Sequence, residues 1–235
     1  MEPDRKFDLL VELAEEWADC QKCDLCRPKG RVRRNIVVGE GNHDAKLMVI
    51  GEAPGEAEDA HGWPFVGPAG ELLDDFLAAF NSSRDDVFIT NIVMCRPSDD
   101  EDAEKNRRPT KEEIEACRPR LHRQIEIIDP VVILLLGDVA LKTLSPAKQS
   151  ITALARSPLF PRIEIVTQGV FGPVVRPGFA TFHPAYLLRS ESPEDARRKG
   201  SDTHRAYETW RKAFSYMDNA CFQYFGTPIP QREVE

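Results

Sequence analysis

Between Leu47 and Phe80 the chain changes character twice. A short apolar run, Leu47–Ile50, gives way to a glycine-studded stretch, GEAPGEAEDAHGWPFVGPAG, from Gly51 to Gly70. An amphipathic segment follows, Glu71–Phe80, with Leu72, Leu73, Phe76, Leu77 and Phe80 on one helical face. Glycine and proline at such short intervals shape a loop rather than extend an element. The three pieces therefore read as a strand, a built loop and a helix. Loops at the carboxyl end of a parallel strand are where α/β proteins place their chemistry. This loop carries two carboxylates, Glu52 and Glu58, and an aromatic ring, Phe65.

The same alternation continues along the chain. Phe7, Leu10, Leu13 and Trp17 recur at helical spacing and predict a helix over 4–18. Val87–Asn91 (VFITN) predicts a second strand. Thr110 and Glu113 form a capping box, opening a helix that carries Ile114, Cys117, Leu121, Ile125 and Ile128 on one face. Val131–Gly137 (VVILLLG) is continuously apolar, as a central parallel strand covered on both sides must be. Phe179–Phe182 predicts a fourth strand, and Tyr207, Trp210, Phe214 and Met217 a late helix. Strands alternating with helices imply an α/β fold: a three-layer α/β/α sandwich around a parallel sheet. Ser98–Arg108 is polar and charged and reads as a solvated loop. A single domain over 1–225 with a tail over 226–235 is the expected organisation.

Lys plus Arg number 31 against 39 Asp plus Glu, a formal charge of −8. A broad cationic surface for nucleic acid is thereby excluded, though a local basic patch is not. Spanning a bilayer takes ~20 apolar residues in a row, and no such run occurs. The first residues, MEPDRKFD, lack the apolar core of a signal peptide. A cytoplasmic setting is expected, where structural disulfides are rare. Cysteine nevertheless occurs six times, three of them as Cys20, Cys23 and Cys26 in C-x₂-C-x₂-C, with Cys95 and Cys117 far downstream. Such spacing suits thiolate ligation of zinc or of an iron–sulfur cluster, and the spacing alone does not separate the two. Cys221 stands apart and reads as a small buried hydrophobe.

Three polar side chains end three of the expected strands: Glu52, Asn91 and His183, the last opening the run HPAYLLR. Pro184 stops the strand before it. Taken singly, each has an ordinary explanation as a turn former or a packed side chain. Together they gather at one crevice, because parallel strands aim their carboxyl ends the same way.

These residues resemble a known family. GEAPGEAEDxxGxPFVGxAG, TN-x-V-x-CRP and HPAYLLR, with the N-terminal C-x₂-C, the GEGN of Gly39–Asn42 and the run Asp44–Gly55, are similar to the family 4 uracil-DNA glycosylases across about residues 18–215. The resemblance implies a central four-stranded parallel sheet and a [4Fe–4S] cluster on Cys20, Cys23, Cys95 and Cys117, leaving Cys26 spare. It implies hydrolysis of uracil from DNA; the sequence leaves single- and double-stranded substrates both open, and a monomer is the default expectation. The chain departs from the family pattern at Met94, in the long interval between Cys95 and Cys117, and from Gln149 to Ala180. A related group that captures uracil sites covalently has an extra basic loop ending in histidine; none is present here, and Ala53 follows Glu52.

The chemistry assigns a task to each residue. Breaking the bond between uracil N1 and the sugar C1′ leaves negative charge on uracil O2, where His183 is placed to donate. An amide supplies one donor and one acceptor, so Asn91 pairs with uracil O4 and N3–H and rejects cytosine. Phe65 stacks on the base once it has left the duplex. Glu52 positions water and counters the sugar's positive charge, with Glu58 as second candidate or pocket wall. Gly51, Ala53 and Gly55 bring backbone close to the base. Leu187 is the candidate wedge filling the vacated stack. Arg189, with Arg197, Arg198 and Lys199, is the candidate phosphate contact. The competing reading on the same scaffold is a non-catalytic iron–sulfur module that binds nucleic acid or carries electrons.

Overall fold

The structure, a computed structural model, describes residues 3–26, 35–98, 105–159 and 161–225. The expected tail over 226–235 and residues 99–104 of the expected polar loop lie outside these, as does the side chain of Cys221. A first helix, α1 (Pro3–Glu16), leads to a two-residue strand β1 (Glu40–Gly41) and then β2 (Leu47–Gly51). Short α2 (Glu56–His61) and α3 (Pro68–Ala78) lie within and after the glycine-rich loop, before β3 (Phe88–Asn91). Next come α4 (Lys111–Ile128), β4 (Val132–Leu136), α5 (Asp138–Leu144) and α6 (Ile151–Ala155). A hairpin of β5 (Ile163–Gly169) and β6 (Gly172–Thr181) precedes α7 (Pro184–Ser190), α8 (Pro193–Ala196) and the long α9 (Asp202–Phe225).

The sheet runs β1-β3-β2-β4-β6-β5. Its four inner strands are mutually parallel, as the alternation of elements predicts. Two antiparallel strands, β1 and β5, extend it at the edges to six. The sequence reading missed both. β1 is only two residues long, and β5 alternates inward Ile163, Ile165 and Thr167 with outward Glu164 and Gln168, the signature of a half-covered edge rather than of a buried strand. The last strand also starts seven residues earlier than Phe179, because its outer half pairs only with β5.

Side chains of the inner strands alternate between two separate cores. Met48, Ile50, Phe88, Ile133 and Leu135 pack on one face with Leu121, Ile125 and Ile128 of α4. Leu47, Val49, Ile89, Leu134 and Leu136 pack on the other with Leu73, Phe76 and Leu77 of α3 and Trp210 and Phe214 of α9. Helices thus cover both faces, which completes the three-layer α/β/α arrangement. Thr110 caps α4 as expected: its hydroxyl accepts the Glu113 N–H at 3.3 Å, and the Glu113 carboxylate accepts the Thr110 N–H at 2.7 Å. The two ends of the polar loop are tied by a bridge between Ser98 and Asn106, so that segment leaves and re-enters the fold at one point.

Trp210 is fully buried and stacks on Phe76, ring centroids 5.7 Å apart. Trp210→Ala is expected to lower the unfolding free energy by about 3–5 kcal/mol, the usual loss for an aromatic-to-alanine cavity. Urea unfolding followed by circular dichroism measures it, and a loss below about 1 kcal/mol would mean that α9 is not docked by this ring.

Candidate active site

β2 and β3 pair in parallel with Gly51 opposite Asn91. That register sets the last residues of the two strands side by side. The contact is tight: a Cβ on Gly51 would lie 2.4 Å from Asn91 Oδ1 and 2.6 Å from Phe65 Cζ. Only glycine lets the amide and the ring close over this backbone. Asn91 is 1% exposed, and its Oδ1 has no hydrogen-bond partner. A buried acceptor left unpaired costs about 1–3 kcal/mol, so this atom is set for a donor from outside the fold.

Phe65 holds a left-handed backbone conformation, φ 54°, which is strained for a bulky residue. Several contacts hold it there. Arg84 donates through Nη2 to the Phe65 carbonyl at 2.5 Å and through Nη1 to that of Pro64 at 3.0 Å. Arg84 is itself gripped by Asp74, at 2.7 Å, and by Glu40. Gly70 in the first turns of α3 faces the same carbonyl, since a Cβ there would stand 1.6 Å from Phe65 O. The Phe65 ring stacks on the His183 imidazole with centroids 5.6 Å apart and planes 23° from parallel.

Glu58 has another task. Its Oε2 accepts the Gly55 N–H at 2.9 Å, and its Oε1 accepts those of Val66 and Gly67 at 3.0 and 3.1 Å. One carboxylate thus ties both ends of the glycine-rich loop together. Glu52 makes no such bonds. It lines the pocket half-buried, and burial raises its carboxyl pKa above the ordinary value; Asp138 adds to the rise, while Arg108 and Arg189 oppose it.

His183 follows β6 and caps α7, its Nδ1 accepting the Ala185 N–H at 3.2 Å. With Nδ1 an acceptor, the neutral ring carries its proton on Nε2. Burial, reinforced by the Arg189 cation, pushes the imidazole pKa down to about 4. The Phe182–His183 turn packs against the end of β4, where Gly137 leaves room for the histidine: a Cβ on Gly137 would be 3.3 Å from that of His183.

Glu52, Ala53, Gly55, Phe65, Asn91, His183 and Arg189 therefore all line one cavity of about 890 Å³ at the carboxyl ends of the parallel strands. Gly51 is not among the lining residues; it lies behind Asn91 and Phe65, in the contacts just described. Leu187 does not belong to it. That side chain is 2% exposed and packs in the core with Phe182 and Trp210, so it does not reach a duplex without unfolding α7; Leu188 beside it is 48% exposed. Arg198 is paired with Glu194 and Asp195. Arg108 and Lys142, which the sequence reading passed over, line the pocket and both face Asp138. Arg84 was missed too: its position in a short polar turn gives no local signal, and its role appears only once the loop has folded over it. A second concavity of about 680 Å³, between α4, the end of α5 and β5, holds none of the strand-end polar groups.

Cys20, Cys23, Cys26, Cys95 and Cys117 line one small cavity with Trp17, Ile36, Met94 and Arg120. Three separate segments meet there: the turn after α1, the loop after β3 and the middle of α4. Burial pushes the Cys23 thiol up to about 11 and raises that of Cys117, and the neighbouring Cys20 thiol adds to both rises. Among the described residues no three His, Cys, Asp or Glu side chains are drawn close enough to grip a metal ion as they stand. The donor set nevertheless fits a thiolate-bound centre, because four or more sulfurs converge on one enclosed space beside a buried cation, Arg120.

Fold and site together define a three-layer α/β protein with a polar-ended pocket across its parallel strands and a separate wall of cysteines. The sequence model of the uracil DNA glycosylase superfamily matches residues 38–208, and the chain belongs to that superfamily, among its type-4 members. It is 42% identical to a type-4 uracil-DNA glycosylase of Thermotoga maritima over 84% of this chain and 93% of that protein. It is 42% identical to one from Saccharolobus solfataricus over 77% of this chain and 78% of that protein. A third, from Archaeoglobus fulgidus, is 46% identical over 57% of this chain and 62% of its own length.

The lowered imidazole pKa sets a pH dependence of stability. Folded His183 titrates near 4 and an ordinary histidine near 6.5, so between these values the unfolded chain binds more protons. Stability from this group is complete above about 6.5 and is lost as pH falls toward 4. Thermal unfolding from pH 7 to 4.5 is expected to show a smaller fall in Tm for His183→Gln than for the parent chain. An equal fall in both would place the acid sensitivity elsewhere.

Proposed function

We propose that this chain is a uracil-DNA glycosylase that takes uracil out of the DNA stack and hydrolyses its N-glycosidic bond, the first step of base-excision repair. The observation that carries the reading is the unpaired, buried Oδ1 of Asn91 at the floor of the pocket. Uracil N3–H is the donor it lacks, and the amide's N–H₂ then meets uracil O4. Cytosine presents the opposite pair at those positions and leaves both bonds unmade. A cavity of about 890 Å³ has room for a base with its sugar. The base must be extruded to reach it, and the buried Phe65 ring is the wall against which it stacks.

The bond from N1 to C1′ breaks with its electron pair leaving on uracil. His183 donates from Nε2 to O2 as that charge develops. A neutral donor suits this task, since its proton stays in place while the oxyanion is stabilised. Glu52 orients a water toward C1′ and takes its proton as the C1′–O bond forms. The immediate products are the uracil anion and an abasic sugar; the proton held by Glu52 is then released and the anion takes one up from solvent to give free uracil. Glu58 works through the loop, holding the backbone N–H groups of Gly55, Val66 and Gly67 in place, and is a positioning residue. Arg189, exposed at the rim, meets the phosphates, with Arg108 and Lys142 beside the same opening.

Cys20, Cys23, Cys95 and Cys117 would hold a [4Fe–4S] cluster, with Cys26 lining the same cavity. Bound there, the group supplies a structural cross-link between the N-terminal segment, α4 and the loop after β3. No step of the hydrolysis passes through it. We place the enzyme in the cytoplasm as a single domain acting as a monomer; among the described residues no helix is long and apolar enough to cross a membrane.

Incubation with uracil-containing single- and double-stranded oligonucleotides, followed by alkaline cleavage of abasic sites, tests the reading. Strand scission is expected, and none with either substrate would refute it. His183→Ala should lower kcat by about 10²–10³ with little change in KM, as loss of one oxyanion donor does. Asn91→Asp should narrow the preference for uracil over cytosine, because a carboxylate has no donor for O4. The rate should fall on the acid side through a pKa above that of an ordinary glutamate, the direction burial gives Glu52, and Glu52→Gln should abolish that limb. A limb that persists in Glu52→Gln would remove Glu52 from the role of base.

A further inference from the structure

Arg120 is the least expected side chain in this molecule. It is 1% exposed, on the inner face of α4 one turn beyond Cys117. Its Nη2 donates to the Val38 carbonyl at 3.1 Å, and among the described residues its Nε and Nη1 have no hydrogen-bond partner. The groups that act on its charge are not carboxylates but the thiols of Cys117, Cys95 and Cys20. A guanidinium is not deprotonated in a protein interior, so Arg120 is a cation at neutral pH. A buried, unpaired guanidinium is strongly destabilising unless a negative group joins it. Arg120 also lines the cysteine cavity itself.

We propose that Arg120 is the counter-ion and hydrogen-bond donor of the thiolate-bound cluster, setting its reduction potential and its retention. The inference rests on the [4Fe–4S] reading above. Four thiolates give such a centre a net negative charge, which supplies the partner Arg120 lacks. Its Nε and Nη1, left without a partner, are the donors open to sulfur. A cation and N–H donors beside a cluster favour the more negatively charged, reduced form. Its place in the fold suits this task. Gln124, one turn further along α4, donates to the same Val38 carbonyl at 2.5 Å and accepts from the Thr90 hydroxyl at 3.0 Å, next to Asn91. The wall that holds the cluster is thereby bonded to the strand that ends in the pocket.

The test uses the full chain, purified anaerobically, with Arg120→Met and Arg120→Lys. Iron and zinc contents are measured first, then the reduction midpoint by potentiometric titration, and the rate of bleaching of the visible absorption in the presence of an iron chelator. The methionine variant should have a midpoint more negative than the parent and lose its cluster about 10-fold faster, the scale of outer-shell effects on metal affinity. The lysine variant keeps the charge but not the planar fork; its midpoint should stay near the parent's while bleaching quickens. It also serves as the decisive variant where methionine prevents folding. Unchanged midpoint and bleaching in the folded variants would overturn the role of Arg120 and leave the cluster standing. A parent protein containing zinc, or no metal, would overturn the cluster reading and this inference with it.

Discussion

The parallel pairing of β2 with β3, with Gly51 opposite Asn91, is the constraint on which the rest of the site depends. It fixes two strand ends within a side chain's reach of each other. The absent side chain at Gly51 then decides what fills the space between them. Asn91 and Phe65 converge on that backbone to distances at which any Cβ would collide. An amide is thereby buried with an open acceptor, and a ring is held as a wall beside it. Hydrophobic packing on both faces of the sheet sets this register: a slip of one residue would turn Met48 and Ile50, and with them Phe88, into the wrong core.

The glycine-rich loop stores strain that its surroundings hold in place. Phe65 lies in the left-handed region, a conformation costing of order 1–3 kcal/mol for such a residue. Arg84 clamps the carbonyls on either side of the Pro64–Phe65 link, Gly70 lets α3 approach it, and Glu58 ties Gly55 to Val66 and Gly67. These contacts come from segments on both sides of the loop. The ring is therefore fixed before anything enters the pocket, and a ligand stacking on it would lose little ordering entropy there. The cysteine wall joins the same frame. The Ile92 and Val93 N–H groups donate to the carbonyls of Gly51 and Glu52 at 3.0 and 3.3 Å, two residues ahead of Cys95. The loop that leaves the pocket is the loop that reaches the thiols.

Much of this was legible in the sequence, for physical reasons. Four inner strands are buried on both faces and must be continuously apolar, and their carboxyl ends must carry whatever polar groups the protein uses. That logic finds Glu52, Asn91 and His183. It fails where a residue's role comes from a distant contact. Glu58 and Glu52 look alike in a loop of unknown shape; only the folded loop shows that three backbone N–H groups occupy one of them. Leu187 and Leu188 are adjacent in a short apolar run, and the helical phase of α7 alone sends the first inward and the second out. Arg120 sits where an amphipathic pattern calls for an apolar residue, and its pattern gives no hint of the thiols it faces.

An acidic chain that acts on a polyanion must confine its positive charge to where it is used. Arg107, Arg108, Lys142 and Arg189 all line the pocket of a protein whose formal charge is −8. Two of them, Arg108 and Arg189, also act on the Glu52 carboxyl. Burial raises the pKa of that carboxyl, while Arg108 and Arg189 pull it down. Asp138 resolves the conflict. It takes Lys142 at 2.6 Å and Arg108 at 3.9 Å, drawing off part of their field, and it adds its own upward push on Glu52. Arg189 pulls the pKa of His183 down as it does that of Glu52, and for an imidazole this favours the neutral ring. One set of charges thus accompanies a Glu52 carboxyl held above its ordinary pKa and a His183 imidazole held below its own, in a single pocket lined by Arg108, Lys142 and Arg189.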